Sequence, residues 1–119
     1  MQGLIMIKKT LILFIFCLPI SSSANELLDY DTFRKIILEP HCLRCHSGPT
    51  SPKGLDFSAY DSLMGNTPFR VIETYNPKNS RLYKAVKSGS MPKGAAKLTD
   101  QELKYIFDWI KAGAPEFSR

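Results

Sequence analysis

The sequence predicts an all-α domain of about four short helices joined by long loops, and three observations carry that expectation. Apolar residues recur at helical spacing in several separate stretches, most clearly from Leu103 to Ile110. Capping and stop residues bracket those stretches. No segment alternates apolar and polar residues as a half-buried strand does.

The chain opens with a leader pattern. Lys8 and Lys9 precede the apolar run LILFIFCLPI, and SSSANE follows with Ser22 and Ala24 at small positions. A basic start, a short apolar stretch and small residues before a cut make a secretory signal peptide, so 1–24 is expected to be removed. A spanning helix needs about 20 apolar residues, and this run is shorter and broken by Pro19. No stable membrane insertion of the mature chain is expected, and its compartment is periplasmic or otherwise exported. The apolar LIMI ahead of the lysines is foreign to such a leader and points to Met6, not Met1, as the start of translation. Phe16 precedes Cys17, where a lipidated cysteine would follow Gly or Ala, so Cys17 is expected to leave with the leader.

Residues 25–119 form one small domain. In the first predicted helix Asp31 caps a segment from Thr32 to Leu38, with Tyr30, Phe33, Ile36 and Ile37 on its apolar side. Pro40 ends it. The motif stretch LEPHCLRCHSG comes next, then SGPTSPKG, a loop by composition. Ser58 caps a short helix over AYDSLM that Gly65 stops. NTPFRVIETYNPKN reads as extended loop with turns at Thr67-Pro68 and Asn76-Pro77. SRLYKAVKS forms a helix that Gly89 stops. The last helix starts at a capping box, Thr99 with Glu102, and carries Leu103, Tyr105, Ile106, Phe107, Trp109 and Ile110 as its apolar stripe. Gly113 and Pro115 end it.

Charge excludes little but weakens one class. Removing Lys8 and Lys9 takes the 16 basic side chains to 14 against 11 acidic ones, a net +3. The lysines are spread along the chain without a block, so no nucleic-acid partner is expected. A loose group from Lys84 to Lys97 suits the steering of an acidic partner. A monomer is expected.

The chemistry is concentrated in one place. His41, Cys42, Cys45 and His46 lie within six residues, and the mature chain has no other Cys or His. Small domains often need a disulfide, metal or cofactor to complete the core. Two cysteines this close make no disulfide framework. Three chemistries suit the stretch. C-x-x-C-H is the pattern of c-type haem attachment: one helical turn spaces two thiols for the two vinyl groups, and His46 follows to face the iron. A zinc site would need ligands from a distant segment, which the sequence does not supply. A redox CxxC opens a helix in a βαβ context, which is not predicted here. A haem iron also takes a ligand on its second face. His41, one residue before Cys42, cannot reach that side and reads as a surface or packing histidine. Met64 falls on an apolar helical turn and reads as core. Met91, in the loop KSGSMPKG with Pro92 behind it, is the better distal donor, because His/Met ligation is a standard haem arrangement.

CLRCH, then SMPKG, then LTDQELKYIFDWIKAGAP together resemble a small class I monohaem cytochrome c. GLDFSAYDSLMG and NPKNSRLYKAV sharpen the likeness toward the planctomycete-type cytochrome c domains, over about Phe33 to Pro115. The resemblance implies a class I cytochrome c fold in which the first and last helices cross over a haem-filled core. It implies one covalent haem c on Cys42 and Cys45, with His46 proximal and Met91 distal to the iron. The expected function is one-electron transfer by an exported carrier, not an enzyme, with redox proteins bearing acidic docking surfaces as partners. Domains of that family often sit within large multidomain enzymes, which leaves the partner open. The alternative from a different class is a haem-based sensor in which a small molecule displaces Met91. In either case His46 is expected to donate Nδ1–H to a carbonyl in the loop Gly48 to Lys53, with Arg44, Lys93 and Lys97 near the haem edge.

Overall fold

The computed structural model describes residues 28–65 and 69–117, together with Ile15 and Cys17. Apart from those two exposed residues, the leader expected over 1–24 lies outside the described residues, as does the turn at Thr67-Pro68. Among the described residues the chain is all-α, with four helices, and no helix is long and apolar enough to cross a membrane.

Helix α1 (30–41) is continuous but not uniform. It runs as α-helix over Tyr30–Phe33, as π-helix over Arg34–Leu38 and again as α-helix over Glu39–His41. Its cap is Asp29, not Asp31: the Asp29 side chain accepts a 2.8 Å hydrogen bond from the Thr32 amide. That bond also holds the Asp29 carboxyl below its usual range. Asp31 instead sits in the first turn, where a carboxylate suits the positive end of the helix dipole. Pro40 does not end the helix. A proline removes one ladder bond and crowds the preceding turn, and the π segment widens the helix just before it, with Glu39 N–H donating to the Arg34 carbonyl. The longer turn also shifts the apolar face. Ile37 and Leu38 are fully buried, whereas Ile36 turns toward solvent.

The other helices are α2 (Tyr60–Met64), α3 (Arg81–Ser88) and α4 (Asp100–Lys111). Ser58 does not cap α2. It folds back on Asp56, whose Oδ1 accepts from both the Ser58 amide and its hydroxyl, so Ala59 stands uncapped at the N-cap position. Ahead of α3, Ser80 is fully buried and spends its side chain on the loop, bonding Glu73 and Asn76 rather than the helix. That loop lies extended with Val71 and Ile72 buried, and a short 3₁₀ turn follows over Pro77–Asn79. The α4 capping box forms as expected, in both directions between Thr99 and Glu102. At its far end Ala114 N–H reaches the Trp109 carbonyl and Gly113 N–H the Ile110 carbonyl, both at 2.9 Å. This 6→1 and 5→2 pairing is a Schellman ending.

The core sits where α1 meets α4. The Phe33 ring stacks on Trp109 with centroids 3.9 Å apart, and Ile37, Leu38, Leu63, Ile106 and Ile110 close around them, all fully buried. The loops are tied to this center by polar groups on the half-buried Tyr60 and the fully buried Trp109. Tyr60 donates to the Ala114 carbonyl at 2.8 Å and Trp109 to the Pro115 carbonyl at 3.2 Å.

Gly113 has φ +99, and a Cβ there would lie 2.7 Å from the Tyr75 ring. Gly113→Ala is expected to destabilise the fold by about 1–2 kcal/mol, the cost of a positive φ in an L-residue. Tyr75 is exposed and can swing aside, so the loss should read as an altered denaturation midpoint without misfolding.

Candidate functional site

The motif continues α1. Cys42 and Leu43 both direct their amides to the Leu38 carbonyl, at 2.8 Å. Cys45 N–H and His46 N–H then both reach the Cys42 carbonyl, at 3.2 and 2.9 Å. The chain therefore winds one further helical-type turn through 42–46, and Cys42, Cys45 and His46 all lie on it. The two thiols differ in setting. Cys45 is exposed, whereas Cys42 is half-buried against the core, with Sγ 3.9 Å from the Ile37 carbonyl. Burial pushes the Cys42 thiol up to about 11, because a thiolate would lose hydration there.

His46 is held on two sides. Its Nδ1 lies 3.1 Å from the Leu55 carbonyl. A carbonyl only accepts, so Nδ1 carries the proton and the Nε2 lone pair is left for a ligand. The buried Phe57 ring stacks on the imidazole, centroids 4.8 Å apart, and Phe57 N–H donates to the His46 carbonyl at 2.8 Å. The orienting carbonyl is thus Leu55, two residues beyond the expected loop of Gly48 to Lys53. The 3₁₀ turn Pro52–Gly54 brings the chain back toward the imidazole only at its exit.

Met91 lies in the loop after α3 and is half-buried against the same core. Its amide donates to the Ala85 carbonyl at 3.2 Å. Met64 also packs half-buried on the core, so the two methionines differ in their loop and helix positions more than in burial. Leu43, Leu55, Tyr83 and Leu103 likewise rest on the core with part of each side chain open. This donor set fits a covalent c-type haem: two thiols one turn apart, an imidazole with Nε2 available, and thioether and apolar side chains around the same core. It fits zinc less well. Among the described residues no three Cys, His, Asp or Glu side chains gather to hold a metal ion.

His41 is more than a surface histidine. Its Nε2 lies 2.8 Å from Glu102 Oε1, with the two side chains 18% and 24% exposed. Glu102 Oε2 meanwhile accepts from Thr99 N–H at 2.8 Å. The capping box legible in the sequence therefore has a third member from α1, for which no sequence signal existed. Phe57 was equally silent, because a lone aromatic in a loop carries no periodicity. Arg44, Lys93 and Lys97 are exposed. Lys97 folds its chain over Gly89, where a Cβ would come within 2.8 Å of Lys97 Cε, and Gly89 at φ +77 ends α3. The lysine thus lies at the negative end of that helix.

Two shallow clefts lie at another part of the surface, about 160 Å³ beside Asp29, Tyr30 and Glu116 and about 320 Å³ beside Tyr60, Tyr75 and Phe117. Neither includes a residue of the cysteine motif. Comparison with protein-family models, curated proteins and solved structures returned no match.

In the unloaded chain under reducing conditions, an alkylating reagent at neutral pH should label Cys45 well before Cys42, read by peptide mass spectrometry. The exposed sulfur is accessible and the Cys42 thiolate is scarce. Equal rates would contradict the buried placement. A second outcome concerns acid. The Thr99 amide first, then the His41 hydrogen bond, hold the Glu102 carboxyl below its ordinary value. A depressed carboxyl contributes stability above its unfolded pKa and loses it as pH falls through the folded one. The stability gap between the native chain and Glu102→Gln should therefore be full at neutral pH and shrink on acidification, as measured by thermal denaturation across a pH series.

Proposed function

We propose that this chain is an exported monohaem c-type cytochrome that carries single electrons. The observation that carries this reading is His46, next to CxxC on one helical-type turn and held with Nδ1 on the Leu55 carbonyl and Nε2 available. That is how a proximal histidine must be presented: the Leu55 carbonyl sets the tautomer, orients the ring and raises its basicity. The resemblance to class I cytochromes c, and to the planctomycete-type domains in particular, supports the same assignment.

In this reading Cys42 and Cys45 would hold the haem through thioether bonds, each thiol adding as S and H across one vinyl group, with nothing oxidised or released. As a thioether the half-buried Cys42 would suit its apolar setting better than as a thiolate. Haem c supplies a one-electron iron couple. With haem bound, His46 Nε2 and the Met91 sulfur would hold the iron, and a thioether donor would favour its reduced state. An iron held by two side chains would suit electron transfer rather than substrate chemistry. Arg44, Lys93 and Lys97 give a basic approach for redox proteins with acidic docking surfaces, which steers encounter and weakens with salt.

Expressed with haem-maturation machinery, the protein should stain for covalent haem on a denaturing gel, and Cys42→Ala with Cys45→Ala should abolish the stain. The oxidised native protein should show the weak near-infrared sulfur-to-iron band and bind carbon monoxide slowly when reduced. Absence of covalent haem would overturn the reading. Covalent haem with rapid carbon monoxide binding would favour a sensor in which Met91 yields to a small molecule.

A further inference from the structure

Resting on the His46 and Met91 ligation proposed above, we infer that His41 is a positioning residue whose hydrogen bond to Glu102 holds the Met91 segment on the iron. The geometry that suggests this is the division of one carboxylate between two parts of the chain. Glu102 Oε2 accepts from the Thr99 amide at 2.8 Å and the Thr99 hydroxyl at 3.2 Å. Glu102 Oε1 meets His41 Nε2 at 2.8 Å. His41 is the last residue of α1 and is bonded directly to Cys42, so it stands at the entry to the attachment turn. Thr99 closes the segment that carries Met91, immediately after the buried Leu98. The two ligand-bearing segments are therefore joined through one side-chain contact across 61 positions of sequence.

The Met91 segment is otherwise held by Met91 resting half-buried on the core and by the Ser90 hydroxyl, which donates to the Ala85 carbonyl at 3.1 Å. Residues 93–97 are all exposed, and Ser90 is exposed as well. The backbone tether on Met91 itself is its 3.2 Å bond to the Ala85 carbonyl. A segment with few buried contacts opens locally at low free-energy cost, and its anchored ends decide how often it does so. One end is secured by Gly89 and α3, the other by Leu98 and the Thr99 box. The His41 contact fixes that second end relative to the motif. Both side chains are largely sheltered, and a hydrogen bond to a carboxylate in such a setting outweighs a fully exposed pair. Loss of the contact leaves α4 capped by Thr99 and Glu102 but frees its start to shift against α1, so Met91 should leave the iron more often.

The test compares the haem-loaded native chain with His41→Ala and His41→Gln. Glutamine retains a donor for Glu102, so His41→Gln is expected to keep the near-infrared band. His41→Ala is expected to weaken the band, raise the carbon monoxide association rate about tenfold, and speed amide hydrogen exchange at Met91 more than at Trp109. Melting temperatures are recorded alongside, since a merely structural role would lower stability in His41→Ala without moving the band or the rate. If His41→Ala does not fold, His41→Leu, of similar bulk and without a donor, takes its place in the same measurements. Normal covalent haem with native band and native carbon monoxide rate in the donor-lacking variant would overturn this role while leaving the cytochrome reading intact. A native chain without covalent haem, or with haem but no sulfur band, would remove the ligation itself and this role with it.

Discussion

The stack of Phe33 on Trp109 is the contact on which the rest of the domain depends. It joins the first described helix to the last, 3.9 Å between ring centers, at the middle of a fully buried cluster. Closing the chain over that distance costs configurational entropy, though the cost grows only slowly with loop length. Two large aromatic surfaces and the aliphatic side chains around them offset it. Once α1 and α4 are docked, the end of α1 falls beside the start of α4. The cysteine turn and the capping box then become neighbors, although neither is part of the stack.

Around that pair of helices the chain is mostly loop, and it is ordered by polar ties as much as by burial. Ser80 is fully buried and anchors the extended segment before α3. Tyr60 and Trp109 use their polar ends to hold the stretch after α4. The loop after the motif does the same for His46, through the Leu55 carbonyl and the Phe57 amide and ring. Long loops in a small domain cost entropy and persist where they surround something or act. Here the loops on both sides of α2 and α3 rest half-buried side chains on one core.

The π segment links fold to site. A regular α-helix would meet Pro40 with a clash and lose a bond, and helices usually stop at or before such a position. The wider turn over Arg34–Leu38 carries α1 past Pro40 to His41. This extension places His41 within reach of Glu102 and lets the motif begin as a further turn of the same helix. Such π segments are common near functional sites, and in this chain the reason is geometric: one extra residue in the turn changes which side chains face inward.

Much of the domain was legible in the sequence because much of it is local. The all-α class, the bounds of α3 and α4, the Thr99 and Glu102 box, and the Gly113 ending follow from contacts three to five residues apart. The closeness of Cys42, Cys45 and His46 is covalent spacing, and the helical turn that unites them was expected on the same ground. Where local signals competed, other local contacts won. Asp29 took the cap from Asp31, Ser58 turned to Asp56, and Pro40 stayed within the helix because the chain could widen ahead of it. What no local pattern could hold is the pairing of distant groups: Leu55 with His46, Phe57 against the imidazole, and His41 on Glu102. Those depend on how α1 docks on α4 and how the loops return to them. By itself the sequence determined which donor side chains the motif holds and their spacing; the fold alone decided which neighbors orient them, because orientation comes from side chains and carbonyls that meet only after the chain has closed.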